Sequence, residues 1–99
     1  MTVDESAPLC ALPTDATTVA VSGDVDAYSA PNLVADLVDP NIDRLILTAV
    51  TFIDAAGLAA LLTAHRARPQ GLTLCSPSPC VLRLLDLTGH CSTFHIVTS

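Results

Sequence analysis

The sequence predicts an α/β domain on a mostly parallel sheet, and three observations carry that prediction. Short β-prone runs alternate with amphipathic, helix-forming runs along nearly the whole chain. Proline, serine, aspartate and glycine punctuate the helical runs where starts and stops are expected. The chain has 99 residues, enough for one aliphatic core, so residues 1–99 are expected to form a single domain.

Leu9 to Leu12 is a short apolar run ended by Pro13, and Thr14-Asp15-Ala16 is turn-like. Thr17 to Ser22 follows, with Val19 and Val21 alternating against Thr18, Ala20 and Ser22, which predicts a hairpin with one half-buried face. Gly23 is expected to end that strand, leaving residues 24–28 as a loop. Ser29 then caps a helix with Pro31 in its first turn, where a missing N–H does no harm. Leu33, Val34, Leu37 and Val38 share one helical face, and Asp39-Pro40-Asn41 stops the helix. Arg44 to Ile53 is the most β-prone stretch, and its near-continuous apolar character predicts a central strand covered on both faces.

Asp54 is a natural N-cap for the next helix, whose first turn is Ala55-Ala56-Gly57. Leu58, Leu61, Leu62 and His65 recur at helical spacing, and Arg66 and Arg68 complement the helix C-terminus. Pro69-Gln70-Gly71 stops it, and Leu72 to Cys75 is a short strand. Ser78-Pro79 starts a third helix with the stripe Val81, Leu84, Leu85 and Thr88, which Gly89 ends. Phe94, Ile96 and Val97 form a last apolar patch with the character of an edge strand. The order ββαβαβαβ implies a sheet of four or five strands with right-handed crossovers.

Composition excludes several functions. Hydrophobic residues make up 51% and aromatics 3%. Ten acids against four arginines give a formal net charge of -6, with no lysine, so the cationic footprint of a nucleic-acid or anionic-membrane binder is missing. Residues 1–8 have neither the basic nor the apolar region of a secretory signal, and a cytoplasmic location is expected. Leu45 to Ala64 has the length of a bilayer span but holds Asp54 at its centre, where a charge costs about 2.5–3.5 kcal/mol. Two buried elements meeting at Asp54 explain it better, and no membrane insertion is expected.

Cys10, Cys75, Cys80 and Cys91 include no CxxC pair and no metal-ligand spacing. Cys10 and Cys75 are expected in a reduced core, Cys80 and Cys91 nearer the surface. His65 lies on an apolar stripe and is expected at the core boundary; His90 and His95 are expected at the surface or boundary. A Cys91/His95 nucleophile and base pair would have no orienting third partner. No catalytic residue, metal site or cofactor is assigned, and enzyme activity is not expected. The acids suggest more: Asp24 and Asp26 follow one strand and Asp54 follows another. Should those strands be neighbours, the loops meet at the C-terminal end of the sheet, where α/β domains place ligand and partner sites. Plain turn and cap roles account for the same residues equally well.

Three segments carry a family resemblance. Ser22-Gly23-Asp24-Val25-Asp26 with Tyr28-Ser29-Ala30-Pro31-Asn32-Leu33 is the first, and Val50-Thr51-Phe52-Ile53-Asp54-Ala55-Ala56-Gly57-Leu58 is the second. The third is Ser76-Pro77-Ser78-Pro79-Cys80-Val81 with Arg83-Leu84-Leu85-Asp86-Leu87-Thr88-Gly89. In this order they resemble the motifs of STAS domains of the bacterial anti-sigma factor antagonist type. The resemblance implies a STAS-like fold with three or more helices, and a non-enzymatic interaction domain that binds an anti-sigma factor of histidine-kinase-like fold and frees a sigma factor. It further implies a partner surface of Asp24, Asp26, Tyr28, Ser29, Asp54, Ala55, Ala56, Gly57 and Leu58, in which the small residues allow close approach. At most a weak homodimer is expected.

In the family the partner kinase phosphorylates a Ser or Thr just before the motif glycine, which switches binding off. Here that position is Ala56, preceded by Ala55, so neither offers a hydroxyl. The strand leading into the hallmark is also shorter than usual for the family. Control by phosphate at the usual site is therefore not expected. A second reading the resemblance permits is a STAS subunit of a transport or lipid-trafficking complex, or a small-ligand or stress sensor, since these roles need no phosphate switch.

Overall fold

The computed structural model describes residues 9–37, 39 and 41–97. Its elements follow the expected order: β1 (Cys10–Pro13), β2 (Thr18–Val25), α1 (Ala30–Asp36), β3 (Arg44–Ile53), α2 (Ala55–Arg66), β4 (Thr73–Cys75), α3 (Pro79–Thr88) and β5 (His95–Val97). The strands lie side by side in chain order, β1 antiparallel to β2 and all later neighbours parallel. The last apolar patch is thus a true edge strand. The long apolar segment resolves into β3 and α2, and no described helix is long and apolar enough to cross a membrane.

The sheet is covered deeply on one face only, which corrects the expectation for β3. Val19, Val21 and Val25 of β2, Leu45, Leu47, Val50 and Ile53 of β3, and Leu74 of β4 are buried in one cluster. Leu33 of α1, Leu58, Leu61 and Ala64 of α2, and Val81 and Leu85 of α3 complete the same cluster, so all three helices back a single face. Thr48, Ala49, Thr51 and Phe52 of β3 are exposed. The spacing of the buried residues along β3 has a mechanical cause. Ala20 and Ser22 pair with Ile46 and Ala49, and Gly23 and Asp24 pair with Val50 and Phe52, so β3 twice carries one more residue than β2. Each extra residue is a bulge that shifts the side-chain alternation by one position. Apolar residues that look continuous in sequence are thereby sorted into a buried set and an exposed set.

Gly23 does not end β2. The strand runs on to Val25, and Gly23 lies between the two bulges at φ +86°, a backbone conformation that a residue with a Cβ rarely adopts. The extension carries Asp24 to the end of the strand.

Residues between the elements hold the helices in place. Arg68, just past α2, is 6% exposed and satisfied entirely by backbone carbonyls. Its Nη1 donates to Ala64 O (2.7 Å), its Nη2 to Leu37 O (2.7 Å) and Asp39 O (3.0 Å), and its Nε to Ile42 O. It therefore ties the last turn of α2 to the connection between α1 and β3, a wider role than the dipole complement expected of it. His65 sits at the core boundary, as expected: its Nδ1 accepts from Leu72 N–H (3.0 Å) and its ring meets Phe94 edge-on at 5.0 Å. Gly89 ends α3 in the left-handed conformation at φ 74°.

Other expectations need correction. Cys10 is exposed rather than in the core, because its β1 position pairs with Ser22 on the face away from the helices. Cys75 is half-buried for the same reason, paired with Ile46, while Cys80 is half-buried against the core and Cys91 is exposed. Val34 is exposed, while Leu33 and Leu37 of its stripe reach the core. Residues 1–8, Val38 and Pro40 lie outside the described residues.

Candidate partner surface at the end of the parallel strands

The two acidic loops meet. Asp54 N–H donates to Val25 O (3.2 Å), which fixes the start of α2 directly beside the end of β2. The exposed Thr51 hydroxyl, one bulge away, donates to Asp24 Oδ1 (2.9 Å). Asp24, Asp26 and Asp54 therefore share one end of the sheet, the C-terminal end of β2 and β3, where the α/β topology opens onto solvent.

Each loop is shaped by its own acid. Asp54 is extended (φ -122°, ψ -173°) and its Oδ1 accepts from Gly57 N–H at 3.0 Å, the N-cap geometry the sequence predicts. A cap of this kind contributes about 1 kcal/mol. Asp26 Oδ1 accepts from the backbone N–H of Tyr28 and of Ser29, both at 3.0 Å, an Asx turn closing residues 26–29. Ser29 does not cap α1 through its side chain. It is buried, and its hydroxyl accepts from Asp26 N–H (3.0 Å) while its single proton lies nearest Asp24 O (2.9 Å). The hydroxyl therefore fastens the loop to the strand it leaves.

The Ser29 backbone N–H, supported by the Tyr28 N–H, holds the Asp26 carboxyl below its ordinary value of 3.8. The lowered folded value means this contribution to loop order is complete above the unfolded value and is lost as pH falls through the folded one. On acid titration, the amide resonances of Tyr28 and Ser29 should move with a midpoint below 3.8. Movement centred at or above the ordinary value would contradict the turn.

Burial divides the expected surface into two groups. Tyr28, 91% exposed, and Ala55 stand out to solvent, and Asp24, Asp26, Asp54 and Ala56 are partly accessible. Ser29, Gly57 and Leu58 are buried and support the surface from beneath. A Cβ built at Gly57 would lie 2.3 Å from Val25 O, so the close approach this glycine allows is between α2 and β2. The sequence reading missed Phe52. Assigned to a strand covered on both faces, it is instead 48% exposed and paired with Asp24. An aromatic directly before the Ile53-Asp54 cap is the signal that could have found it.

No cluster of His, Cys, Asp and Glu able to hold a metal occurs among the described residues. Asp24, Asp26 and Asp54 are committed to turns, a cap and a strand tie, and the site holds no nucleophile paired with a base. What the arrangement offers is an ordered acidic sheet end with the exposed Tyr28 in one loop, the exposed Ala55 at the start of α2 and the exposed Phe52 beside Asp24 on the open face.

The STAS domain family model matches residues 10–99. The chain belongs to the STAS domain family. This STAS domain superimposes on an anti-sigma factor antagonist from Mycobacterium paratuberculosis with a TM-score of 0.75 and 27% identity, over 95% of this chain and 91% of that one. It also resembles the anti-sigma factor antagonist SpoIIAA in its unphosphorylated form, with a TM-score of 0.68 and 18% identity over 93% and 90% of the two chains, a likeness of fold. No curated protein sequence matches the chain significantly.

Proposed function

We propose that this STAS domain is an anti-sigma factor antagonist: it binds an anti-sigma factor of histidine-kinase-like fold in the cytoplasm and thereby frees a sigma factor, with no chemistry of its own. The observation that carries this reading is the junction of the Asp24–Ser29 loop with the first turn of α2, which leaves Tyr28 and Ala55 exposed next to Asp26 and Asp54, with the exposed Phe52 paired to Asp24. Exposed aromatics in a polar rim are characteristic of protein-recognition surfaces. The likeness in sequence and fold to the M. paratuberculosis antagonist supports the same reading.

Ala56 separates this chain from a phosphate-controlled antagonist. It stands in the first helical turn, at the position that precedes the buried Gly57. A phosphate there would face the open N–H groups of the helix and add nearly two charges to an acidic surface. Without a hydroxyl, the charge of the surface is set by Asp24, Asp26 and Asp54, and phosphate at the usual site does not switch binding off.

An Ala56→Asp variant places a carboxylate where the phosphate would stand and satisfies the helix dipole. Its thermal midpoint should stay close to the parent's while its affinity for the anti-sigma factor, read by calorimetry, falls about tenfold or more. Unchanged affinity in the folded variant would remove the α2 start from the interface.

A further inference from the structure

The face of the sheet opposite the helices carries a feature that partner binding at the strand ends does not use. Register places Leu12, Ala20, Ile46, Cys75 and Val97 in one row across all five strands. Every member is apolar, and none belongs to the core or to the residues packed against it. Leu12 is 61% exposed and Val97 38%. With strands about 4.8 Å apart the row runs about 19 Å, whereas the open face of a one-sided sheet is ordinarily polar.

The flanks of the row are oppositely charged. Arg44 and His95 share the row before it, with Thr18 and Thr73. Asp24, paired with Phe52, lies beyond it in the strand direction. Of the acids near Arg44, Asp15 is turned onto the Thr17 N–H and hydroxyl, and Asp43 precedes Arg44 and so points to the other side of the strand.

From the apolar row and its oppositely charged flanks we propose that the open sheet face is a weak homodimer interface, two copies packing face to face about a two-fold axis perpendicular to the strands. An axis midway between the Ala20–Ile46 and Ser22–Ala49 rows stacks β3 on β3 with reversed direction. It brings Arg44 of each copy to the level of the other copy's Asp24. Sheets packed face to face lie about 10 Å apart, a gap that an arginine and an aspartate reaching toward each other span. Ile46 and Ala20 flank the axis and face Ala49 and Ser22 of the other copy, an isologous contact in which each patch meets the same patch. The row is narrower than the ~800 Å² per partner of a standard interface, so association is weak and concentration-dependent.

Sedimentation velocity of the purified chain from about 10 μM to about 1 mM tests this; the weight-average sedimentation coefficient should rise with concentration. Ile46→Lys should hold the protein monomeric throughout. Arg44→Asp and Asp24→Arg should each weaken dimerisation about tenfold, and the double exchange should restore it, a recovery that misfolding cannot imitate. A concentration-independent monomer, a dimer indifferent to Ile46→Lys, or an exchange that fails to restore association would overturn the proposal.

Discussion

Gly57→Ala is expected to destabilise the domain by about 3 kcal/mol, a large share of the stability of a domain this size. The new Cβ would meet Val25 O at 2.3 Å, Val25 Cγ1 at 2.8 Å and Ile53 Cγ1 at 2.9 Å. The first of these is backbone at the end of the β2–β3 ladder, held there by the Asp54 N–H, and cannot swing aside as a side chain could. The start of α2 must therefore lift away from β2, which strains the Asp54 N–H to Val25 O bond and leaves a gap above Val25 and Ile53. Helix propensity works the other way, favouring alanine over glycine by about 1 kcal/mol, and the steric term should dominate. Urea unfolding should show a lower midpoint with an unchanged slope. A variant as stable as the parent would mean that α2 sits less tightly on β2 than this geometry holds.

Arg68→Met is the second large effect, with an expected loss of about 3–5 kcal/mol. Methionine replaces the buried aliphatic stem but none of the donors, so the carbonyls of Leu37, Asp39, Ile42 and Ala64 lose a charged partner together. Arg68→Lys should recover only part of the loss, because a single ammonium cannot reach carbonyls on three sides as the planar guanidinium does. Hydrogen exchange adds a spatial check: amides around Leu37, Ile42 and Ala67 should lose protection before those of β2. Equal stability of the Met and Lys variants would contradict the clamp.

The fold was largely legible because its signals are local. The Asp54 cap, the Ser78-Pro79 helix start and the Gly89 stop stand at the positions where proline, aspartate and glycine mark them. The register was not legible. Two bulges in β3 depend on how β2 and β3 pair, and nothing in the order Leu45 to Ile53 announces them. The bulges account for the apolar run that looks continuous, and the chain-order sheet, whose same-handed crossovers put all three helices on one face, accounts for the exposure of Phe52 and for Cys75 lying outside the core. The candidate site was legible as two acidic loops and a motif. Which members support and which face solvent depended on contacts such as the Ser29 hydroxyl on Asp24 O and the Gly57 approach to Val25, which only the folded chain brings together. Arg68 makes the same point: sequence placed it near a helix end, while its other acceptors lie up to 31 residues away in the chain.

Amide mapping of the complex tests recognition of an anti-sigma factor by the strand-end surface most directly. Isotope-labelled protein titrated with a purified anti-sigma factor of histidine-kinase-like fold should show its largest amide perturbations at Asp24–Tyr28 and Thr51–Ala56. With the protein below the concentration at which it self-associates, Ile46, Cys75 and Val97 on the open face should stay near their free positions. Perturbations centred on the open face or on α3, or a spectrum unchanged at saturating anti-sigma factor, would contradict it.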